Sequence, residues 1–195
     1  MTRIIALAGS LRTQSYNKQL VQIAARAAAG KGASVQLVEL ADYDIPLFSE
    51  DLEAEGVPAG VIALKQLLAQ SQGLLLASPE YNGSISGVLK NALDWLSRPS
   101  EGFEMNAAFK GKAAGIMAAS PGGYGGARGL KHVREVLTNL GMELHPDQVT
   151  VPAAYEAFDD QRELVDLTLA QAVQALSAQL VEMAESATAG ERVAA

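Results

Sequence analysis

The fold is decided near the start of the chain, by the stretch Arg3-Ile4-Ile5-Ala6-Leu7-Ala8-Gly9-Ser10-Leu11-Arg12-Thr13-Gln14-Ser15-Tyr16-Asn17. Residues 3–8 form an apolar run that predicts a buried strand, and Gly9-Ser10 ends the run as a turn does. Residues 16–29 then carry apolar side chains at helical spacing. The stretch therefore predicts a strand, a loop and a helix in that order, which is the opening unit of an α/β domain.

The same alternation continues along the chain. The predicted strands are 3–8, 34–40, 73–78, 112–119 and 142–151. The predicted helices are 16–29, 61–70, 85–97, 127–140 and an alanine-rich helix over 159–187, after which the tail from about Thr188 is expected to fray. Residues 41–60, which contain prolines, glycines and acids, predict a long surface connection. Five strands alternating with five helices predict a doubly wound α/β fold, in which a parallel sheet is covered on both faces.

The composition fits one domain over residues 1–195 and narrows its function. The formal charge of -7 argues against nucleic acid or an anionic membrane as a partner, because both require a concentrated basic surface. With no cysteine and with His132 and His145 as the only histidines, we expect no metal site. His132 is interpreted as a surface or interface residue and His145, beside Pro146, as a structural one, and neither is given a functional role. Redox chemistry would have to come from a bound cofactor.

The apolar runs are too short to cross a membrane and no export signal is visible, so a cytoplasmic protein is expected.

Ligands of a doubly wound sheet bind beyond the carboxyl ends of its strands, at the switch point of the topology. The loops after the first, third and fourth strands are therefore the candidates for a binding site. These are the first loop (9–17), the second loop (78–86) and the third loop (120–126), and they are the parts richest in glycine, serine, asparagine and proline.

The first loop predicts a phosphate site. A strand that leads through small hydroxyl residues into a helix presents free backbone N–H groups and the positive end of the helix dipole. Ser10, Ser15 and Asn17 can add side-chain hydrogen bonds, and Arg12 can add a charge-assisted one. The spacing matches neither G-x-G-x-x-G nor G-x-x-x-x-G-K-[ST], so a Rossmann dinucleotide site and ATP hydrolysis are not favoured. The alternative is that Ser15 only caps the helix and Arg12 is solvated.

The second loop favours contact with a flat polar ring. Pro79 fixes the turn, and Asn82-Gly83 favours positive φ, so that backbone N–H and C=O groups can point at a ligand instead of pairing locally. Tyr81 is either a wall of this site or an ordinary exposed residue. Trp95, at the end of the following helix, is expected to pack against a neighbouring element.

The third loop places four glycines in seven positions directly after a buried strand. Such a run favours close approach of the backbone to another group, the alternative being a flexible turn into the next helix.

Together the three loops resemble the NADPH-dependent FMN reductase family, the flavodoxin-like group that includes quinone, azo-dye and chromate reductases. The likeness runs in register from about residue 3 to about residue 151. The segments that carry it are Gly9-Ser10-Leu11-Arg12, Ser15-Tyr16-Asn17, Pro79-Glu80-Tyr81-Asn82, Gly87, Leu89-Lys90-Asn91-Ala92-Leu93-Asp94-Trp95, Ser97-Arg98-Pro99, Ser120 and Gly122-Gly123. The resemblance implies a three-layer, flavodoxin-like, five-stranded sheet with the order 2-1-3-4-5. Ser86 departs from the pattern, because many relatives have proline there.

The resemblance also implies a cofactor site for FMN. Its phosphate would be held by Ser10, Arg12, Ser15 and Asn17, with Tyr16 beside it. Its isoalloxazine would be lined by Pro79, Glu80, Tyr81, Asn82 and Gly83, and the other side would be closed by Ser120, Gly122 and Gly123. No catalytic side chain is implied. Members are usually homodimers or homotetramers, in which the helix 85–97 and the loop before it help cover the flavin.

The expected activity is that of an FMN-dependent NAD(P)H oxidoreductase. It would take hydride from NADH or NADPH and pass it, through bound FMN, to a flavin, quinone, azo compound, metal oxyanion or similar small acceptor. One alternative is a flavodoxin-like electron carrier, whose docking to basic partners the acidity would suit, although Arg12 intrudes in a loop that such carriers fill with threonine and glycine. A second alternative is a flavin-binding regulatory protein without turnover of its own.

Overall fold

The computed structural model describes residues 1–194, with the side chains of residues 1–187, so the predicted fraying from about Thr188 lies outside the described side chains. The strands are β1 (Arg3–Ala8), β2 (Ser34–Val38), β3 (Gly73–Ala77), β4 (Glu80–Tyr81), β5 (Ser84–Ile85), β6 (Ala113–Ala119), β7 (Glu143–Leu144) and β8 (Val149–Val151). The helices are α1 (Tyr16–Gly30), α2 (Glu50–Glu55), α3 (Ala59–Ala69), α4 (Gly87–Ser97), α5 (Ala127–Asn139) and α6 (Leu167–Ala194). Within the described part of the chain, no helix combines the length and apolar character that a membrane span requires.

The main sheet is parallel and confirms the predicted order. Its strands run β2-β1-β3-β6-β7, and β8 pairs with the carboxyl-terminal half of β6. The fifth position of the sheet is thus shared by β7 and β8. In sequence order of the main strands this is 2-1-3-4-5, the doubly wound arrangement whose switch point lies between β1 and β3.

The sheet is buried on both faces, which explains why its strands are nearly continuous apolar runs. Ile4 and Ala6 of β1 pack in one core cluster with α1 and α6, whereas Ile5 and Leu7 pack in a second cluster with α3, α4 and α5. Successive strand residues point to opposite faces, so each strand supplies both cores. The result is the three-layer architecture that the alternation of elements predicts.

Two predicted elements are corrected at the carboxyl-terminal side. The strand expected over 142–151 is broken into β7 and β8, because Pro146 has no N–H to donate to a ladder. His145 still donates its backbone N–H to Ala114 O at 2.8 Å, and its ring accepts from the N–H of Asp147 at 3.1 Å. This buried imidazole is structural, as expected.

The last helix begins at Leu167, so the predicted start at residue 159 is wrong. Asp159 instead closes a turn, in which its carboxylate accepts the N–H of Glu163 at 2.8 Å. Asp166 supplies the helix cap, because its Oδ1 accepts the N–H groups of Thr168 and Leu169 at 2.7 and 3.3 Å.

The connection 41–60 is more ordered than predicted, since it contains the short helix α2. One face of α4 holds it in place. Asn91 accepts the N–H of Phe48 and donates to Pro46 O, both at 2.8 Å. Trp95 donates its indole N–H to the same Pro46 oxygen at 2.8 Å and packs edge-on against Phe48 at 5.0 Å between ring centroids, which confirms its predicted packing role. These contacts, with the ion pair between Arg98 and Glu53 at 2.8 Å, anchor the connection to α4.

Candidate functional site

A cleft of about 430 Å³ opens at the carboxyl ends of β1, β3 and β6. All three predicted loops contribute to it. The lining residues are Ser10, Arg12, Ser15, Tyr16, Asn17, Pro79, Glu80, Tyr81, Ala119, Ser120 and Pro121. Of the residues predicted for the site, Asn82, Gly83, Gly122 and Gly123 are the ones that do not line this cleft.

The first and second loops are fixed to each other at Gly9. The N–H of Gly9 donates to Ala77 O at 2.9 Å, and its carbonyl accepts the hydroxyl of Ser86 at 2.6 Å. A Cβ at this position would lie 2.7 Å from the side chain of Leu89, so only glycine lets α4 approach so closely. Ser86, where many relatives have proline, also caps α4 by accepting the N–H of Leu89. Serine at position 86 therefore adds a hydrogen bond between the first and second loops.

The first loop gathers the donors that an anion requires. Ser15 stands at the cap position of α1, yet its hydroxyl makes no cap hydrogen bond, which contradicts the interpretation of Ser15 as a cap alone. The guanidinium of Arg12 lies 4.9 Å from the ring centroid of Tyr16 and pairs with no carboxylate in the described part of the chain. The first N–H groups of α1 have no intrahelical acceptor, as in any helix. A cation, a hydroxyl and a helix N-terminus thus meet at one end of the cleft.

Tyr16 is held flat against the protein by Phe158, with ring centroids 6.2 Å apart and planes inclined by 4°. Phe158 belongs to the segment before α6, where the sequence shows no motif. The stack fixes the tyrosine ring beneath Arg12 and so orients the cationic end of the cleft.

Asn17 lies in the wall of the cleft and is almost fully buried. Its Oδ1 accepts the N–H of Ala119, and its Nδ2 donates to the carbonyl oxygen of the same residue, both at 2.9 Å. The side chain therefore ties the first turn of α1 to the end of β6. This role was not predicted, since nothing in the sequence links positions that lie so far apart.

The second loop forms the hairpin of β4 and β5. Asn82 and Gly83 sit at its tip with φ of 53° and 76°, which confirms the predicted positive φ. Tyr81 is half exposed and lines the cleft, as does Pro79. The ring of Tyr81 and the flat face of Pro79 give this end of the cleft an apolar wall.

The carboxylate of Glu80 is engaged with the protein itself. It accepts the N–H groups of Arg128 and Gly129, each at 3.0 Å, and the Nε of Arg128 at 2.9 Å. Burial alone would raise the pKa of Glu80, but the Gly129 N–H and the bonds and charge of Arg128 together hold it below its usual range. Glu80 is therefore ionised at neutral pH.

The glycines of the third loop fall into two groups, of which one packs closely on the protein and the other faces open space. Gly125 and Gly126 have positive φ, and a Cβ at Gly126 would lie 2.5 Å from the Cβ of Ala118. The close approach predicted for this run is thus made to the protein's own strands. Gly122 and Gly123 have open space where a Cβ would lie, apart from a contact of Gly122 with the Ser120 hydroxyl at 3.7 Å.

The cleft is suited to a ligand that carries a phosphate and a flat ring. Arg12, Ser15 and the start of α1 offer an anion site at one end. Pro79, Tyr81 and Ser120 offer a partly apolar wall at the other end. The fold and this cleft define a flavodoxin-like α/β protein whose cleft is suited to a phosphorylated ring ligand.

Comparison with known proteins agrees with this class. The family model of NADPH-dependent FMN reductase matches residues 2–156. An NAD(P)H-dependent FMN reductase of Pseudomonas aeruginosa is 39% identical over 165 residues, which cover 84% of this chain and 85% of that protein. A quinone reductase of Pseudomonas putida is 33% identical over 166 residues, covering 85% and 86% of the two chains. The solved structure of FerB from Paracoccus denitrificans, a flavoenzyme NAD(P)H:(acceptor) oxidoreductase, has a TM-score of 0.79 and 28% identity over 95% of this chain and 98% of that one.

The chain belongs to the NADPH-dependent FMN reductase family. The predicted family, flavodoxin-like fold and NAD(P)H-dependent reductase class are confirmed.

Proposed function

We propose that the cleft binds FMN and that the chain, acting as one domain, uses NADH or NADPH to reduce a quinone, a flavin or a similar small acceptor. One observation carries the proposal: Arg12, which has no carboxylate partner in the described part of the chain, and the start of α1 lie in the same cleft as an apolar wall. Quinone acceptors are supported by the relative from Pseudomonas putida, which is named for that activity.

The residues divide the cofactor between two ends of the cleft. Arg12, Ser15 and Ser10 would hold the phosphate, because they offer a charge and two hydroxyls beside the free N–H groups of α1. Asn17 and Tyr16 complete this end. The isoalloxazine would lie along the second loop, from Pro79 to Gly83, and Ser120, Gly122 and Gly123 would close its other side.

FMN, when bound, supplies the hydride chemistry between the nicotinamide and the acceptor. The chain's own residues would bind and orient the cofactor and shield it from water. The apolar faces of Pro79 and Tyr81 would exclude water from one side of the site, and backbone N–H groups of the third loop would stabilise negative charge on a bound cofactor. No side chain has to abstract a proton, so we assign no catalytic residue.

We further propose that the protein works in the cytoplasm as a homodimer or homotetramer. The exposed side chains of Leu11, Tyr81 and Tyr124 support this, since they lie on the three loops that contribute to the cleft and a second copy could cover them. In this arrangement α4 and the second loop would face the partner subunit.

FMN affinity tests the proposal directly. Arg12→Ala and Ser15→Ala should each weaken FMN binding by about 10–100-fold, the range expected for losing a hydrogen bond to a charged group. Arg26→Ala is the matched control, because Arg26 lies on α1 but pairs with Glu163 away from the cleft. The measurement is fluorescence titration of the flavin-free protein with FMN. Unchanged affinity in both cleft variants would refute the phosphate site.

Mixing the FMN-loaded protein with NADPH under anaerobic conditions tests the activity. Bleaching of the flavin absorbance without any partner protein, followed by recovery on adding a quinone, is the expected result. An absorbance that stays unchanged with NADH and NADPH would favour an electron carrier.

A further inference from the structure

Helix α5 receives its N-terminal cap from a distant carboxylate. The residue at the cap position is Gly126, which has no side chain to accept the free N–H groups of the first turn. Glu80 fills this role from the second loop, by accepting the N–H groups of Arg128 and Gly129. Its own side chain is only 7% exposed. The start of α5 is thus tied to the second loop across the cleft edge.

The rest of the β4–β5 hairpin fits closely on the same helix. The hydroxyl of Ser84 lies 2.7 Å from Nδ1 of the exposed His132. A Cβ at Gly129 would lie 3.1 Å from Ser84 O and 3.2 Å from the Cβ of Glu80. Glycine at this position therefore lets the hairpin lie directly on the first turns of α5.

The charges of this contact are balanced. The carboxylate of Glu80 faces the guanidinium of Arg128 at 2.8 Å and the positive end of α5. Arg128 is held over the ring of Tyr124 at 5.0 Å from the centroid, so the third loop also takes part. A buried negative charge beside the cleft is thereby compensated by a cation that is itself exposed.

We infer that Glu80 is a positioning residue of the flavin site: it locks the second loop to α5 and, with Arg128, sets the charge beside the bound ring. The inference rests on the proposed function, because it concerns the site in which FMN would lie. Pro79 and Tyr81 flank Glu80 in the chain and line the cleft, so their positions depend on the anchor between them. The carboxylate acts through these neighbours and through its charge.

Two substitutions separate an electrostatic role of Glu80 from a purely structural one. Glu80→Gln removes the negative charge and leaves Arg128 and the helix end uncompensated, which favours the more negative, reduced flavin. Arg128→Met leaves the charge of Glu80 without its cation and disfavours the reduced flavin. The midpoint potential of the bound flavin should therefore rise in Glu80→Gln and fall in Arg128→Met. A purely structural role would not move the two potentials in opposite directions.

The experiment combines that potential with two measurements that need no turnover. FMN affinity should fall in Glu80→Gln, because a weaker anchor between the second loop and α5 lets Pro79 and Tyr81 shift from the positions in which they line the cleft. Amide hydrogen exchange at residues 128 and 129 should speed up in the same variant, with and without FMN. Glu53→Gln is the matched control, because it breaks a carboxylate–arginine pair with Arg98, neither residue lines the cleft, and none of the three measurements should change.

The outcomes distinguish this inference from the proposed function. If the wild type binds FMN and both variants match it in affinity, potential and exchange, the inference is wrong and the proposed function stands. Potentials that move in the same direction also overturn it. A wild type that binds no FMN overturns the proposed function, and this inference with it.

Discussion

Replacing Asn17 by alanine would break two hydrogen bonds to one residue. The N–H and the carbonyl of Ala119 are both buried and both bond the Asn17 amide at 2.9 Å. A buried polar group that loses its partner costs about 1–3 kcal/mol. Because the adjacent cleft lets water reach part of this region, we expect a total loss of about 2–4 kcal/mol in the free energy of unfolding. For a chain of this size that corresponds to a fall in Tm of roughly 5–10 °C.

The assay is thermal and urea unfolding of the flavin-free protein, so that loss of cofactor binding cannot imitate loss of stability. Asn139→Ala is the control, because Asn139 is an exposed asparagine near the end of α5 and its loss should stay within about 0.5 kcal/mol. Asn17→Ala should also weaken FMN binding, since the first turn of α1 loses its tie to β6. A variant that is as stable as wild type without flavin, yet binds FMN poorly, would refute the structural role of this amide.

Two further predictions concern positions outside that bond. Gly126→Ala should lower the free energy of unfolding in urea by about 2–4 kcal/mol, because φ is +91° and the new Cβ would lie 2.5 Å from that of Ala118. Gly123→Ala is the control and should be nearly neutral, since its Cβ would meet open space. Equal losses in the two variants would contradict this argument. The hydrogen bond from Arg98 lowers the pKa of Glu53. The ionised carboxylate therefore stabilises the fold at pH values above the ordinary pKa of a glutamate, and this contribution is lost as the pH falls. The stability advantage of wild type over Glu53→Gln should therefore shrink between about pH 5 and pH 3, and urea midpoints that keep a constant difference would oppose the argument.

The fold could be predicted because each central strand is an apolar run bounded by glycine, serine or proline. Ile4 to Ala8 and residues 74–77 are buried on both faces, so hydrophobicity alone marks them. The errors lie where local signals conflict. Asp159 and Asp166 are equally good cap residues in sequence, and only the turn that Asp159 closes shows which one starts α6.

The site could be located but not assembled from sequence. The three loops follow strands one, three and four, and the topology of a doubly wound sheet brings such loops together. The contacts that shape the cleft, however, join positions far apart in the chain, as Glu80 joins Arg128 and Asn17 joins Ala119. Glycine spacing likewise could not separate Gly126, which packs on β6, from the glycines that face open space.

The anchoring face of α4 has a consequence for how this protein can be altered. Asn91, Trp95 and Arg98 recur at helical spacing, and all three hold the connection before α3: Asn91 and Trp95 bond Pro46, and Arg98 pairs with Glu53 at 2.8 Å. The connection is therefore fastened by polar side chains at α4, in addition to the packing of its apolar side chains on the second core cluster. Extra residues inserted at the exposed Gly56, where a Cβ would meet open space, would extend into solvent and leave both the anchored part and the cleft in register. This makes Gly56 a natural point for fusing a peptide tag or a second module.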